Sequence, residues 1–145
     1  MKVFTIGFTK KAAWEFFGLL RGSGAGTLVD TRLRNRSQLA GFAKRDDLEF
    51  FVRELCGMSY RHELQLAPTE TSLSSYQNGE VPWTEYSDQY LDLLGERKVS
   101  ETLNRAEFDN AVLLCSEANP DCCHRRLAAE YLADEIGRAS CRERV

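Results

Sequence analysis

Ala111, Val112, Leu113 and Leu114 form an unbroken apolar run. A strand with one wetted face alternates apolar and polar side chains. A run without alternation suits a strand covered on both faces, as in a parallel sheet flanked by helices. The residues just beyond it sharpen this reading. Asn119 and Pro120 offer a helix N-cap and a proline suited to the first helical position, and Leu127, Ala128, Tyr131 and Leu132 recur at helical spacing. Residues 112–126, VLLCSEANPDCCHRR, therefore read as a buried strand that hands its chain to a helix start.

The rest of the chain repeats this pattern. Residues 2–7 (KVFTIG) are a β-branched and aromatic run closed by glycine. Residues 9–20 place Ala13, Phe16, Phe17 and Leu20 on one helical face, with Thr9 as N-cap and a glycine-rich stop at residues 21–24. Residues 27–31 (TLVDT) are a second strand, and residues 46–56 a second amphipathic helix with Leu48, Phe51, Val52 and Leu55 inward. A third strand is expected over 58–66, then a polar loop through Pro82, helical stretches at 84–94 and 99–108, and a fourth strand over 110–116. The order βαβαβααβα predicts a single three-layer α/β domain. Its sheet is open, mainly parallel and of four to five strands, in the Rossmann-like or flavodoxin-like manner.

Composition narrows the class. A chain of 145 residues with 43% hydrophobic and 28% charged residues is long enough to bury a core without disulfides or metals. Five cysteines, an odd number with Cys122 and Cys123 adjacent, do not form a secreted disulfide framework. The apolar start is too short for a signal peptide, and no stretch reaches membrane-span length. A cytoplasmic protein without a membrane partner is expected. A net charge of −3 does not indicate a broad nucleic-acid surface. Residues 135–145 (EIGRASCRERV) break the helical pattern and resemble the translation of a sequencing adapter, so the domain is taken as 1–134 and 135–145 as a non-native tail. On that reading the sheet lacks a closing strand after the last helix.

In open α/β sheets, ligands bind beyond the carboxyl ends of the strands. Those ends supply Gly7, the Asp30-Thr31-Arg32 triplet and the Cys115-Ser116-Glu117 triplet. A helix beginning at Pro120 would place Cys122, Cys123 and His124 in its first turn, where free N–H groups favour anions, thiolates included. Helical spacing leans Cys123 and His124 toward the sheet and Cys115, while Cys122 points outward. Arg125 and Arg126 oppose the helix dipole there, which suggests an anionic partner. Each of these residues also has a plain structural role open to it: cysteine as a core residue, histidine as a packed polar group, Glu117 as a solvated carboxylate. A zinc site from Cys115, Cys122, Cys123 and His124 lacks a paired CxxC frame and is not expected, and the sequence leaves any cofactor unknown.

The strings LLCSE (113–117) and CHRR (123–126) resemble the signature of the family called domain of unknown function 488. TIGF, VDTRL, RSQLAGFAKRDDL, YRHELQLAPT and WTEYSDQY resemble one of its subgroups. The resemblance implies a small cytoplasmic α/β domain, with motif positions at Gly7, Asp30, Arg32, Cys115, Glu117, Cys123, His124 and Arg125, and Arg126 in the subgroup. It implies no assigned reaction.

The expectation is an enzyme acting on an anionic small molecule, phosphorylated or nucleotide-like. Gly7, Asp30, Arg32, Arg125 and Arg126 would bind it, and Cys115, Glu117, Cys123 and His124 are the catalytic candidates. The alternative is a nucleic-acid or partner-binding module using Arg32, Arg34, Arg36, Gln38 and Phe42. A weaker one is a thiol redox or metal-sensing protein.

Overall fold

The computed structural model describes residues 2–36, 40–117, 120–135 and 140–143. Five parallel strands form one sheet: β1 (Lys2–Gly7), β2 (Thr27–Asp30), β3 (Ser59–His62), β4 (Ala111–Cys115) and β5 (Ser140–Glu143), in spatial order β3-β2-β4-β1-β5. The unalternated run thus lies at the centre of the sheet. Its two faces go to different cores. Val112 and Leu114 join Phe4, Ile6 and Leu28 against α1 (Ala13–Ser23) and α2 (Arg45–Cys56). Ala111 and Leu113 join Val3 and Val29 against α4 (Trp83–Glu96), α5 (Val99–Thr102) and α6 (His124–Glu135). Three layers with helices on both faces make this a Rossmann- or flavodoxin-like architecture. No helix among the described residues is long and apolar enough to cross a membrane.

Register aligns the strand ends. Gly7 pairs with Cys115, Asp30 with Leu114 and Asp30 with His62, so β1, β4, β2 and β3 finish side by side. The chain crosses over β4 in passing from β1 to β2, and over β1 in passing from β4 to β5. The crevice opened by such crossovers is where α/β proteins hold ligands.

Several local expectations are corrected. α1 begins at Ala13, after an Ala12 cap, and not at Thr9. The Thr9 amide is tied to the Ser116 carbonyl at 3.0 Å and Lys10 adopts φ 63°, so the chain turns there before it can coil. Ala13 is consequently exposed, as is Leu55 at the end of α2. The third strand stops at His62 and gives way to a 3-10 turn at Leu64–Leu66. The 70–77 stretch expected as loop is a helix, α3 (Glu70–Gln77), capped by Thr69, whose hydroxyl accepts from the Ser72 amide at 3.2 Å. The expected helix over 99–108 is divided into α5 and a 3-10 turn at Arg105–Phe108.

Two corrections bear on the site and the sheet edge. α6 begins at His124; a 3-10 turn at Pro120–Cys122 precedes it, so Cys122 and Cys123 sit ahead of the first helical turn. The expected cap Asn119 lies outside the described residues. The closing strand expected to be missing is present: Ser140–Glu143 runs parallel to β1 over Lys2 to Thr5. Ladder bonds use backbone groups, so a segment without an apolar pattern can still pair.

Candidate active site at the carboxyl edge of the sheet

A cavity of about 230 Å³ opens above the ends of β2 and β4. Its floor carries Arg32, Cys115, Ser116, Glu117, Cys123 and His124; α3 and α4 supply Leu73, Tyr76, Gln77 and Tyr86, and Cys122 and Arg34 complete the wall. Five of the nine sequence-derived candidates therefore meet there: Arg32, Cys115, Glu117, Cys123 and His124.

His124 is the most tightly specified of them. Its Nε2 lies 3.0 Å from the Thr31 carbonyl and 3.1 Å from Thr31 Oγ1, while that hydroxyl donates to the Leu114 carbonyl at 2.8 Å. A carbonyl only accepts, so Nε2 carries the hydrogen and Nδ1 is turned to Cys115 Sγ at 3.7 Å. The Tyr90 ring packs edge-on against the imidazole, 5.4 Å between centroids, and Tyr90 is anchored by its hydroxyl to the Leu66 carbonyl at 2.7 Å.

The sulfurs and the imidazole share protons. The Cys123 thiol donates to Cys115, and this hydrogen bond, with the His124 charge beside it, holds the Cys115 thiol well below its ordinary range against the opposing effect of burial. Cys123 is pushed the other way by donating to Cys115 and by burial, so it stays a thiol. For His124 burial opposes the charge, but the Cys115 thiolate and the Thr31 carbonyl outweigh it and raise its pKa. These directions favour the charge pair of a Cys115 thiolate beside a His124 imidazolium, with the proton of the two sulfurs kept on Cys123.

Cys115, Cys123 and His124 place three donor atoms within 4.8 Å of one another. Of the four residues weighed for zinc, Cys122 is exposed and not in this group. Arg125 Nη1, 3.9 Å from Cys123 Sγ, sets a permanent positive charge against the trio, which suits a thiolate better than a dication.

The remaining candidates, Gly7, Asp30, Arg125 and Arg126, do not line the cavity. Arg125 is fully buried and donates to the Glu117 carbonyl, fixing the loop that leaves β4. Gly7 permits that contact: a Cβ there would overlap the Glu117 carbonyl oxygen and lie 2.6 Å from Arg125 Nη1. Asp30 accepts from Arg32 Nε at 2.8 Å and Nη2 at 2.7 Å, from Tyr60 Oη at 2.6 Å and from Asn35 Nδ2 at 3.2 Å. Burial works against its charge, yet these donors hold the carboxyl below its usual value. Arg126 faces solvent, bonded to Glu130 at 2.9 Å and 3.7 Å from Asp121.

Asn35, Tyr60, Tyr76 and Tyr86 were not singled out as site residues in the sequence, and Thr31 only by its place at a strand end. Tyr76 and Tyr86 stack at 4.5 Å and 13° on the cavity wall. Aromatic side chains on helices read as core until the fold turns them to a cavity. The surface expected for nucleic acid is dispersed: Arg32 is buried on Asp30, Arg34 pairs with Glu70, and Phe42 packs on Phe8, Phe16 and Phe17. Gln38 lies outside the described residues.

A parallel α/β sheet carrying a thiol–imidazole pair and a buried guanidinium beyond its strand ends defines the class. The chain belongs to the family described as Domain of unknown function DUF488, whose model matches residues 12–132. No curated protein and no solved structure matches it.

Proposed function

We propose that the protein is an enzyme acting on a small anionic molecule, with Cys115 as nucleophile and Arg32 as the group that receives the anion. One observation carries this reading. Arg32 is 4% exposed, and while Nε and Nη2 hold Asp30, its buried Nη1 has no hydrogen-bond partner among the described residues. A buried donor without a partner costs about 1–3 kcal/mol, a cost that an acceptor brought by a ligand would offset. Arg32 lines the same cavity as the Cys115 thiolate, and a guanidinium is the side chain best shaped for phosphate or carboxylate.

The chemistry follows from which groups are committed. His124 gives Nε2 to the backbone and turns Nδ1 to Cys115, so it stabilises the thiolate at rest and keeps a proton beside that sulfur when the thiolate reacts. Cys115 would bond to an electrophilic atom of the substrate while the leaving group departs with the electrons of the broken bond. Tyr76 and Tyr86 offer a flat apolar wall, which favours substrates with a ring, nucleotides among them.

The test is a thermal-shift screen of the full chain against inorganic phosphate, nucleoside monophosphates and phosphorylated sugars. A saturable shift is expected in the parent. It should be lost in Arg32→Lys, which keeps a charge for Asp30 but removes the fork. No shift with any of these anions, or equal shifts in parent and variant, overturns the reading.

A further inference from the structure

We propose that Cys115 and Cys123 form a peroxide-responsive dithiol that closes reversibly to a disulfide and switches the site off. The inference rests on the reading of Cys115 as a nucleophilic thiolate and adds a second reaction to it. Cys123 makes no bond to the substrate in the attack on an anionic molecule, yet it is 2% exposed, lines the cavity and places its sulfur within 4.8 Å of both the Cys115 sulfur and a His124 ring nitrogen. Arg125 Nη1 approaches Cys123 Sγ at 3.9 Å and favours any negative charge that develops on it. The arrangement has the three parts a resolving thiol requires, namely an attacking thiolate, a second thiol with its sulfur within 4.8 Å, and an adjacent proton carrier.

The balance is complete with a hydroperoxide as oxidant. Cys115 thiolate attacks the terminal oxygen of the hydroperoxide, the O–O bond breaks, and the departing alkoxide or hydroxide takes the proton of the His124 imidazolium. Cys115 is left as a sulfenic acid and His124 as neutral imidazole. The Cys123 sulfur then attacks the Cys115 sulfur. The S–O bond breaks, hydroxide leaves and combines with the Cys123 proton relayed through His124, and water is released. Two sulfurs are oxidised and one peroxide is reduced to alcohol, or to water, plus water. A dithiol reductant reverses the step by exchange. Closure requires the two sulfurs to approach to about 2.05 Å, a movement available to Cys123 because it precedes the first turn of α6. The disulfide removes the nucleophile, so anion chemistry stops while the oxidant persists.

The experiment treats the reduced full chain with hydrogen peroxide, blocks free thiols and maps peptides by mass spectrometry. A Cys115–Cys123 cross-link that dithiothreitol reverses is expected, with Cys56, Cys122 and Cys141 still alkylated. In Cys123→Ser, oxidation should stop at a Cys115 sulfenic acid trapped by dimedone and proceed to sulfinic acid with excess peroxide. A cross-link to Cys122 in place of Cys123, or peroxide consumption unchanged in Cys115→Ser, overturns the proposal. Iodoacetamide labelling across pH, run in parallel, separates the two readings. Cys115 labelled below neutral pH with no cross-link formed overturns the dithiol alone. Cys115 labelled only at alkaline pH overturns both.

Discussion

Arg32 holds Asp30 through two parallel bonds, Nε at 2.8 Å from Oδ1 and Nη2 at 2.7 Å from Oδ2, with the carboxylate fully buried and the guanidinium nearly so. A bidentate pair in low dielectric is rigid, so the direction of the third guanidinium nitrogen is set by a residue that does not itself line the cavity.

Breaking that pair from one side should therefore be costly. Asp30→Asn leaves the Arg32 charge buried without its counter-charge, and a loss of about 3–5 kcal/mol is expected in urea unfolding at neutral pH. The acid limb provides the check on mechanism. The Asp30 pKa is depressed on folding from an ordinary 3.8, so its stabilisation is present above that value and lost as pH falls through the folded pKa. The parent should lose stability below about pH 4 by this route, and Asp30→Asn should show a shallower fall there. Parallel acid limbs would place the parent's loss elsewhere.

Gly7→Ala should be far more damaging than a methyl group in a strand normally is. The added Cβ would overlap the Glu117 carbonyl oxygen, a backbone atom, and crowd Arg125 Nη1. Overpacking of this sort costs about 1–3 kcal/mol where neighbours can yield, and more where they cannot. Thermal unfolding should show a marked drop in Tm, and the remaining folded protein should have a displaced Glu117 loop and weakened anion binding. A Tm within a degree or so of the parent would count against the tight approach of Gly7 to the loop after β4.

The thiolate at Cys115 can be read through its partner. His124→Gln keeps a polar side chain but removes the imidazolium, so the Cys115 thiol should rise toward its ordinary pKa of 9.0. The pH profile of iodoacetamide labelling at Cys115 should move to higher pH accordingly. The parent's profile should be lower, and its midpoint belongs to the Cys115–His124 pair as a whole. Stability carries the opposite sign: a His124 pKa raised above 6.5 contributes below that value and its contribution fades as pH rises through the folded pKa. Identical labelling profiles in parent and variant would remove His124 from its role.

How far the fold and site were legible in the sequence depends on how local each signal is. The unalternated run in β4 and the stripe of α6 announced a covered parallel sheet because burial on both faces leaves its mark residue by residue. The same adjacency of strand end and helix start marked Cys115, Cys123 and His124. α3 left no such trace, since none of its residues is buried and only the Thr69 cap signals it. The roles of Thr31, Tyr60 and Asn35 were not legible for another reason. Their work depends on the tertiary fold: Asp30 pairing with His62 and Leu114 is what carries Tyr60 to the carboxylate and Thr31 to the imidazole. Gly7 was legible as a strand-end position expected to face the ligand, but what approaches it is the chain's own backbone, at Glu117.

The edge of the sheet supplies a last test. β1 is flanked on one side by β4 and on the other by β5, so β5 covers ladder groups that would otherwise face solvent. Deleting residues 136–145 uncovers the β1 edge from Lys2 to Thr5, and an open parallel edge is a template for pairing with another chain. The described side chains of β1 to β4 and of the helices already form a core on each face, so the domain should still fold, with a Tm lowered modestly. Self-association should rise with concentration, visible as a shift to larger species in size-exclusion chromatography with light scattering. A full-length chain carrying Cys141→Pro together with Arg142→Pro separates loss of pairing from loss of mass. Adjacent residues of a strand turn their amides to opposite sides, so one of the two prolines removes a donor to β1. That chain should associate as the truncated one does. If truncation leaves both Tm and mass unchanged over a wide concentration range, the edge does not need β5 for protection. If truncation and the paired prolines both raise association, the uncovered backbone of β1 is its cause.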